Sequence, residues 1–178
     1  ASKFEEHMRR YNIALKENEE ARDVKNSGSI ISVVTDKGKY EARTVIIASG
    51  KRTRLLNVPG ENKFKNKGLT YCATCDAPLF SGKAVAVIGG GNSALDAVLQ
   101  LTKIAKHIHL INITTALGGD AVMRQKVEES KIVTILNNAQ VTEILGDKFV
   151  TGMKIKKEGK EETLSIQGVF VEIGLLPN

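Results

Sequence analysis

The sequence is poor in several residue types, and their scarcity narrows what the protein can be. It has no Trp, 4% aromatic residues, two Cys and three His among 178 residues. Two Cys cannot form the disulfide framework that holds small secreted domains together. Because there is no second Cys pair and no His at zinc-finger spacing, we predict no metal site. No window approaches 18 consecutive apolar residues, so we predict no membrane-spanning helix and no membrane partner.

The net charge is positive, but the two signs are mixed along the chain. There are 26 Lys and Arg against 20 Asp and Glu, which gives a formal charge of +6. A basic face can bind nucleic acid. Here, acids lie between the bases and stacking aromatics are absent from these stretches, which favours a solvated surface and no nucleic-acid partner. Residues 1–12 are charged throughout and lack the apolar core of a secretory signal, so we predict a cytoplasmic location.

The order of the predicted elements indicates an α/β protein. Residues 2–11 should form a short helix, and a strand is expected near residues 12–17. Residues 31–35 and 40–44 alternate around an Asp-Lys-Gly turn, which predicts a β-hairpin. Residues 44–50 are apolar on both faces, as in a buried strand of a parallel sheet. The second half of the chain adds a strand-rich insertion to this pattern.

A strand, a Gly-rich turn, a helix and a second strand follow one another over residues 84–112 and predict a βαβ unit. Residues 57–68, rich in Pro, Gly, Asn and Lys, mark a domain boundary before it. The turn is a G-x-G-x-x-A: its first Gly allows a tight turn, its second removes a Cβ that would collide with a pyrophosphate, and its Ala lets the helix pack on the strand. A merely structural Gly-rich turn is the alternative, but the setting between strand and helix favours a dinucleotide site. The candidate binding residues are Gly89, Gly90, Gly91, Asn92, Ser93 and Ala94.

The end of the second strand of the βαβ unit should read the adenosine ribose of the nucleotide. An acid at this point binds the 2′-hydroxyl of NAD, whereas an Arg accommodates the 2′-phosphate of NADP. The chain has Asn112 here, and no Arg, Lys or His lies between it and Gly119. Burying a 2′-phosphate without a partner is costly, which favours NADH over NADPH. The choice stays open because Arg124 or Lys126 could reach in from the next helix.

Both cysteines belong to one C-x-x-C motif, formed by Cys72 and Cys75. This spacing lets the two sulfurs close a small ring, and a helix N-terminus at the motif would activate one of them as a thiolate. Asp76 follows directly and could carry a proton during exchange. A C-x-x-C alone can be redox-active or adventitious. Its position shortly before the Gly-rich turn favours the redox interpretation.

Residues 71–98, YCATCDAPLFSGKAVAVIGGGNSALDAV, resemble the low-molecular-weight thioredoxin reductases and the related flavoprotein subunit of alkyl hydroperoxide reductase. Both groups belong to the class II pyridine nucleotide-disulfide oxidoreductases. Residues 44–50 resemble the flavin-domain strand of that family, residues 57–61 its crossover, and residues 169–178 its return strand. The resemblance therefore extends over nearly the whole chain.

The resemblance implies a chain made of two parts. Residues 1–53 would be a β-rich partial segment of an FAD-binding domain. Residues 54–176 would be a Rossmann-like, three-layer NAD(P)-binding domain that carries the C-x-x-C, and residues 177–178 would start the return to the FAD domain. An N-terminal G-x-G-x-x-G and the later Gly-Asp motif of an FAD site are lacking from the sequence. We therefore expect an internal fragment that binds nucleotide but neither holds FAD firmly nor turns over alone.

The resemblance also implies roles for individual residues. In this family, reduced nicotinamide passes a hydride to FAD, the flavin reduces the C-x-x-C, and the dithiol reduces a disulfide of a partner protein. Cys75 would face the flavin, Cys72 would be the interchange thiol, and Asp76 would be the acid. Gly174 would lie near the nicotinamide cofactor. The residues expected to touch FAD are Ala48, Ser49 and Gly50.

The implied function is that of a thioredoxin-disulfide reductase-like flavoprotein, a homodimer that acts on a thioredoxin-like or peroxiredoxin-type disulfide protein. Thioredoxin reductases typically have a His-Arg-Arg cluster where this chain has Asn112 to Gly118. This segment instead resembles the NADH-using peroxiredoxin reductases, whereas the C-A-T-C motif is that of thioredoxin reductases, so the two hints about the subfamily disagree.

Ala77 stands where the family commonly has Gly, a change tolerated only if φ is negative. The alternative function is a stand-alone nucleotide-binding or redox-sensing module without flavin.

Overall fold

The computed structural model describes residues 2–178, and the chain divides into two units, Ala1–Ala48 and Ser49–Asn178. The elements of the first unit are α1 Ser2–Met8, β1 Ala21–Asn26, β2 Ile31–Thr35 and β3 Lys39–Ala42. The three strands form an antiparallel sheet in chain order. This unit therefore has the β-rich character that the sequence predicts.

The predicted hairpin is confirmed as β2 and β3. Its turn is held by the Thr35 hydroxyl, which accepts the backbone N–H groups of Lys37 and Gly38 at 3.2 and 2.9 Å. The strand predicted near residues 12–17 is wrong, because those residues form no strand and β1 pairs with β2 instead. A strand needs a neighbour to satisfy its backbone groups, and the short turn after β1 supplies one.

The prediction of a buried parallel strand over residues 44–50 is also wrong. These residues have no regular secondary structure, and the side chains of Ile46 and Ile47 are 93% and 73% exposed. An apolar segment becomes a central strand only when strands pair with both of its edges. None of the strands described for residues 2–178 pairs with this segment.

The second unit contains the parallel sheet. No helix within residues 2–178 combines the length and the apolar composition that crossing a membrane requires. The elements of this unit are β4 Lys51–Thr53, α2 Glu61–Phe64, β5 Leu69–Thr70, α3 Ala73–Asp76, β6 Ala84–Ile88, α4 Asn92–Leu101, β7 His107–Ile111, α5 Ala121–Glu128, β8 Val133–Leu136, β9 Ala139–Gly146, β10 Val150–Lys157, β11 Lys160–Ser165, β12 Gly168–Val171 and β13 Leu175–Pro177.

Five strands of this unit form one parallel sheet in the order β5-β12-β6-β7-β8. Strands β6, β7 and β8 are joined through α4 and α5, as expected for βαβ units. Strand β12 returns after the antiparallel sheet β9–β11 and inserts between β5 and β6. The α/β fold class predicted from the sequence is confirmed.

The parallel sheet is covered on both faces, so the second unit has three layers. Successive side chains of a strand point to opposite faces. In β6, Val85 and Val87 pack among α4, α5 and the segment after α3, whereas Ala86 and Ile88 pack against β9 and β10. Each face therefore has its own apolar core, and the carboxyl ends of β6, β7 and β12 remain free to form a cleft.

Candidate nucleotide and disulfide site

A cavity of about 700 Å³ lies at the carboxyl ends of β6, β7 and β12 in the second unit. In open α/β sheets, ligands bind in the crevice outside the carboxyl ends of the strands. Seven of the predicted site residues line this cavity. They are Gly89, Gly90, Gly91, Asn92, Ser93, Asn112 and Gly174.

The three glycines of the turn have different neighbours. Gly89 has a φ of 137°, and a Cβ on it would collide with the Glu172 carbonyl group of the adjacent strand. A Cβ on Gly90 would collide with the side-chain carbonyl of Asn112. Around Gly91, by contrast, the described structure leaves open space within 4 Å of such a Cβ. The first two glycines are thus needed by the fold, whereas Gly91 leaves room on the cavity side.

The residues after the turn begin α4 and divide between binding and packing positions. Gly91 is the N-cap of this ten-residue helix and has no side chain that could accept hydrogen bonds from the first helical N–H groups. The free N–H groups and the positive dipole end of the helix therefore face the cavity that Asn92 and Ser93 line. Asn92 also accepts the Asp120 N–H at 2.7 Å through its side-chain carbonyl. Ala94 is fully buried between helix and strand, so it packs the turn and does not line the cavity.

The Asn112 side chain is 3% exposed and holds its own loop together. Its Nδ2 donates to the carbonyls of Thr114 and Ala116 and to Oδ1 of Asn137, at 3.2, 3.0 and 2.8 Å. Its Oδ1 accepts the Thr114 N–H and hydroxyl at 3.3 and 3.0 Å. Asn112 therefore lines the cavity with an amide whose hydrogen-bonding groups are already used.

Two charged residues that belong to none of the sequence motifs also line the cavity. Arg54 precedes the predicted domain boundary, and its backbone N–H donates to the Gly174 carbonyl at 3.1 Å. Glu172 lies at the end of β12, two residues before Gly174. Burial raises the pKa of the Glu172 carboxyl, and the nearby Asp96 carboxylate adds to this rise. The backbone N–H of Ala73, between the two cysteines, acts on the same carboxyl in the opposite direction.

Only Glu172 carried a usable signal in the sequence. Arg54 belongs to no motif, and it reaches the cavity only because the crossover chain hydrogen-bonds to the return strand. Glu172 could have been suspected, because it follows a strand that runs parallel to the Gly-rich strand β6. The carboxyl ends of neighbouring parallel strands share one edge of a sheet.

Cys72 and Cys75 form a disulfide across the first turn of α3, with their Cα atoms 5.3 Å apart. Sγ of Cys72 accepts the Cys75 N–H at 3.2 Å, and Cys72 is the N-cap of this short helix. Cys72 is half-buried, whereas Cys75 is exposed. Asp76 closes the helix and accepts a hydrogen bond from the Thr70 hydroxyl. Ala77 has a φ of −49°, which meets the condition for accepting Ala in place of Gly at this position.

A buried carboxylate anchors the chain just before the disulfide. Glu61 is 3% exposed and accepts the N–H groups of Leu56 and Asn57 at 2.8 and 2.7 Å. It also accepts the Tyr71 hydroxyl at 2.8 Å. Burial, followed by the Glu61 carboxylate, raises the pKa of Tyr71. Because Tyr71 directly precedes Cys72, this contact ties the crossover segment to the disulfide.

The three residues expected to touch FAD lie outside the cavity. Ala48 is the last residue of the first unit, whereas Ser49 and Gly50 begin the second. The Ser49 carbonyl accepts Nδ2 of Asn178 at 3.2 Å, and Gly50 has a φ of 78°. Ser49 and Gly50 therefore lie beside the antiparallel pair β4 and β13.

A family model described as pyridine nucleotide-disulphide oxidoreductase matches residues 2–178. The chain is 41% identical, over its whole length, to an alkyl hydroperoxide reductase subunit of Xanthomonas campestris pv. phaseoli, and 39% identical to an NADH dehydrogenase of Bacillus subtilis strain 168. It spans 35% of the length of each.

Solved structures with the same fold include two thioredoxin reductases. The enzyme of T. acidophilum has a TM-score of 0.73 at 36% identity, over 99% of this chain and 59% of the other. The enzyme of Giardia duodenalis has a TM-score of 0.78 at 31% identity, over 88% of this chain and 52% of the other. The fold and the arrangement of the sheet are therefore those of this group of structures.

Proposed function

Since this chain belongs to the pyridine nucleotide-disulphide oxidoreductase family, we propose that it carries the nicotinamide site and the redox-active disulfide of a flavoprotein that reduces disulfides in another protein. One observation carries this proposal. Strand β12, which leads into Glu172 at the cavity, pairs in parallel with β5, and β5 ends two residues before Cys72. The cavity and the disulfide therefore lie beside neighbouring strands of one sheet.

The cavity fits a dinucleotide. Gly91 leaves open the space that a Cβ would fill, and the N-terminus of α4 offers unpaired N–H groups to a phosphate. Arg54 adds a positive charge at the same cavity. The pyrophosphate would lie against Gly91, Asn92 and Ser93, with Gly89 and Gly90 shaping the turn and Ala94 packing it. Family members use NAD(P)H and FAD, which together supply a hydride and deliver its two electrons to a disulfide.

NADH is the nucleotide that the cavity suits better. The loop from Ile113 to Gly119 contains no cation, and the Asn112 amide is used within the loop. Arg124, which could have supplied a cation, donates through Nη1 to the Leu117 carbonyl at 3.3 Å and so helps to hold the loop. Because Arg124 does not line the cavity, a 2′-phosphate there would lack a charged partner unless this side chain turned toward it, at a cost in affinity.

The two cysteines have different roles in the proposed reaction. Cys72 is the interchange thiol, since its sulfur accepts the Cys75 N–H, which stabilises a thiolate. Cys75 is the exposed sulfur that would face the flavin. Asp76 carries the proton, and Ala48, Ser49 and Gly50 would contact FAD. On this assignment, residues 1–53 and 177–178 serve the flavin and residues 54–176 serve the nucleotide.

The partner would be a thioredoxin-like or peroxiredoxin-type disulfide protein, and the assembly a cytoplasmic homodimer. The relatives named as thioredoxin reductases and as an alkyl hydroperoxide reductase subunit support the two partner classes. The test uses the full-length protein supplied with FAD, together with an oxidised thioredoxin or, in parallel, an oxidised peroxiredoxin. Oxidation of NADH is followed by the loss of its near-ultraviolet absorbance, and NADPH is compared at equal concentration.

We expect NADH to be oxidised in step with acceptor thiols, faster than NADPH, and Cys75→Ser to stop thiol formation. Disulfide reduction by Cys75→Ser at the native rate would refute the proposal. Tight NADH binding by the wild type with no electron transfer to either acceptor would instead favour the stand-alone nucleotide-binding or redox-sensing module. Faster turnover with NADPH would overturn the interpretation of the loop after Asn112.

A further inference from the structure

Thr70 lies at the end of strand β5, two residues before the disulfide, and is 5% exposed. Its hydroxyl donates a hydrogen bond to the Asp76 carboxylate. The same hydroxyl accepts the Cys72 N–H at 3.2 Å. One buried hydroxyl therefore joins the first residue of the C-x-x-C to the acid that follows its last residue.

Short links within the helix complete this arrangement. The Asp76 N–H donates to the Cys72 carbonyl at 3.2 Å, and the Cys75 N–H donates to the Cys72 sulfur. Backbone bonds thus fix the helix, but they leave the Asp76 side chain free to rotate. The Thr70 hydroxyl is the group that fixes the direction of the carboxylate.

A second, smaller cavity borders this pair. It measures about 190 Å³, and Thr70 and Asp76 line it together with Asn66, Leu79 and Phe80. Water occupies about 30 Å³ per molecule in the liquid, so the space admits several molecules, and it has polar groups to hold them. Protons can therefore reach Asp76 from a side other than the nucleotide cavity, whose lining includes neither Thr70 nor Asp76.

We propose that Thr70 is a positioning residue that holds Asp76 as the proton carrier of the Cys72–Cys75 disulfide, with the small cavity as the proton route. This inference rests on the proposed redox function of the two cysteines. It concerns the exchange step alone, so it can be tested without flavin or nucleotide.

The step is a thiol–disulfide exchange with a dithiol as the reductant. A thiolate of the dithiol attacks one sulfur of the disulfide, and the S–S bond breaks. The leaving sulfur keeps the electron pair and takes a proton from the Asp76 carboxyl. The second thiol of the dithiol gives its proton to the Asp76 carboxylate and attacks the mixed disulfide. The second cysteine sulfur leaves with its electron pair and takes this proton from the Asp76 carboxyl, and the Asp76 carboxylate regains from water the proton that the attacking thiol had lost. The dithiol is then oxidised to a ring disulfide, and Cys72 and Cys75 are reduced to thiols.

The experiment measures how fast dithiothreitol reduces the disulfide across a pH series, by quenching with an alkylating reagent and counting alkylated cysteines by mass spectrometry. The variants are Thr70→Val, which keeps the shape but loses the hydroxyl, Thr70→Ser, which keeps the hydroxyl, and Asp76→Asn. The matched control is Thr142→Val, because the Thr142 hydroxyl is buried without a hydrogen-bond partner among the described residues.

Proton transfer by a placed side chain contributes about 100-fold or more, so a misdirected Asp76 should lose on the order of tenfold in rate. We expect Thr70→Val to slow reduction and to change the pH profile as Asp76→Asn does, and Thr70→Ser and Thr142→Val to retain the native profile. If Thr70→Val unfolds, Thr70→Ala is measured in its place.

Native rates and a native pH profile in Thr70→Val or Thr70→Ala, with a slow Asp76→Asn, would overturn the inference about Thr70. Native behaviour in Asp76→Asn as well would overturn the role of the acid. A different result would refute the proposed enzymatic function alone: dithiothreitol reduces the disulfide with the expected dependence on Thr70, but NADH drives no thiol formation.

Discussion

Replacing Gly91 by Ala should weaken nucleotide binding while leaving the fold intact. Gly91 has a φ of −95° and a ψ of −173°, an extended conformation that Ala adopts without strain. The described residues leave open space around a Cβ at this position, and Gly91 lines the cavity. The added methyl group therefore meets only what binds in the cavity.

The effect on stability is small because two terms oppose each other. Ala is a poorer N-cap than Gly, which costs about 0.5–1 kcal/mol. Ala also reduces the conformational freedom of the unfolded chain, which stabilises the protein by about 0.4–1 kcal/mol. The free energy of unfolding should thus change by less than about 1 kcal/mol. A methyl group forced against a bound phosphate costs about 1–3 kcal/mol, which is about a 5- to 150-fold loss of affinity.

Gly89→Ala, unlike Gly91→Ala, should mainly destabilise the fold. An Ala at position 89 would have to adopt a φ of 137°, and its Cβ would collide with the Glu172 backbone carbonyl just after β12. A backbone carbonyl cannot move aside as a side chain could. Left-handed or otherwise rare backbone conformations cost about 1–3 kcal/mol for a residue with a side chain. Together with the collision, the free energy of unfolding should fall by more than about 2 kcal/mol.

The two quantities are measured on the same samples. Binding is followed by the fluorescence of NADH, which no Trp of this chain perturbs, and stability by urea unfolding with circular dichroism. Gly38→Ala is the matched control, because it also adds a methyl group in open space, but in the hairpin turn of the first unit. NADH binding by Gly91→Ala at the native affinity would refute the placement of a phosphate against this turn.

The remaining predictions concern four buried or half-buried titratable groups. Glu61→Gln should lower the free energy of unfolding by about 1.5–3 kcal/mol, because charged hydrogen bonds to two backbone N–H groups are weakened. Tyr71→Phe should lower the free energy of unfolding by about 1 kcal/mol. Urea titrations measure both changes. Because burial raises the pKa of Glu172 above 4.5, stability and NADH affinity should both fall as pH rises through that raised value, and calorimetry should find both trends flattened in Glu172→Gln. Burial, and then the neighbouring imidazole, lowers the pKa of His109, so stability should fall as pH drops from 6.5 toward that lowered value, and an unchanged slope of urea midpoints in His109→Gln would contradict this.

Local sequence rules predicted several features that the structure confirms. The β2–β3 hairpin follows from alternation around a short turn whose bonds lie within four residues, from Thr35 to Gly38. The βαβ unit follows from an apolar strand, a Gly-rich turn and a helix with the spacing that such a unit needs. The condition on Ala77 could also be stated in advance, since φ is a property of one residue.

Features that depend on distant parts of the chain could not be predicted in the same way. Residues 44–50 have the composition of a buried strand, but their burial depends on strands that pair with them. Arg54 reaches the nucleotide cavity through a bond to Gly174, which is 120 positions away. Glu61 looked like one charge in a polar boundary segment, although it is nearly as buried as the core.

The sequence alone determined the chemistry of this protein: a C-x-x-C pair followed by an acid, and a glycine turn between a strand and a helix, because each depends on residues close together in the chain. Only the tertiary structure decided where those parts lie relative to one another. Insertion of β12 between β5 and β6 places Glu172 at the cavity and brings its strand against β5, which leads to Cys72. The strand β5 likewise places the Thr70 hydroxyl against Asp76. Hydrogen bonds and burial depend on distances of a few ångströms in space, whatever the separation of the residues along the chain. A local sequence pattern does not specify which distant residues come this close.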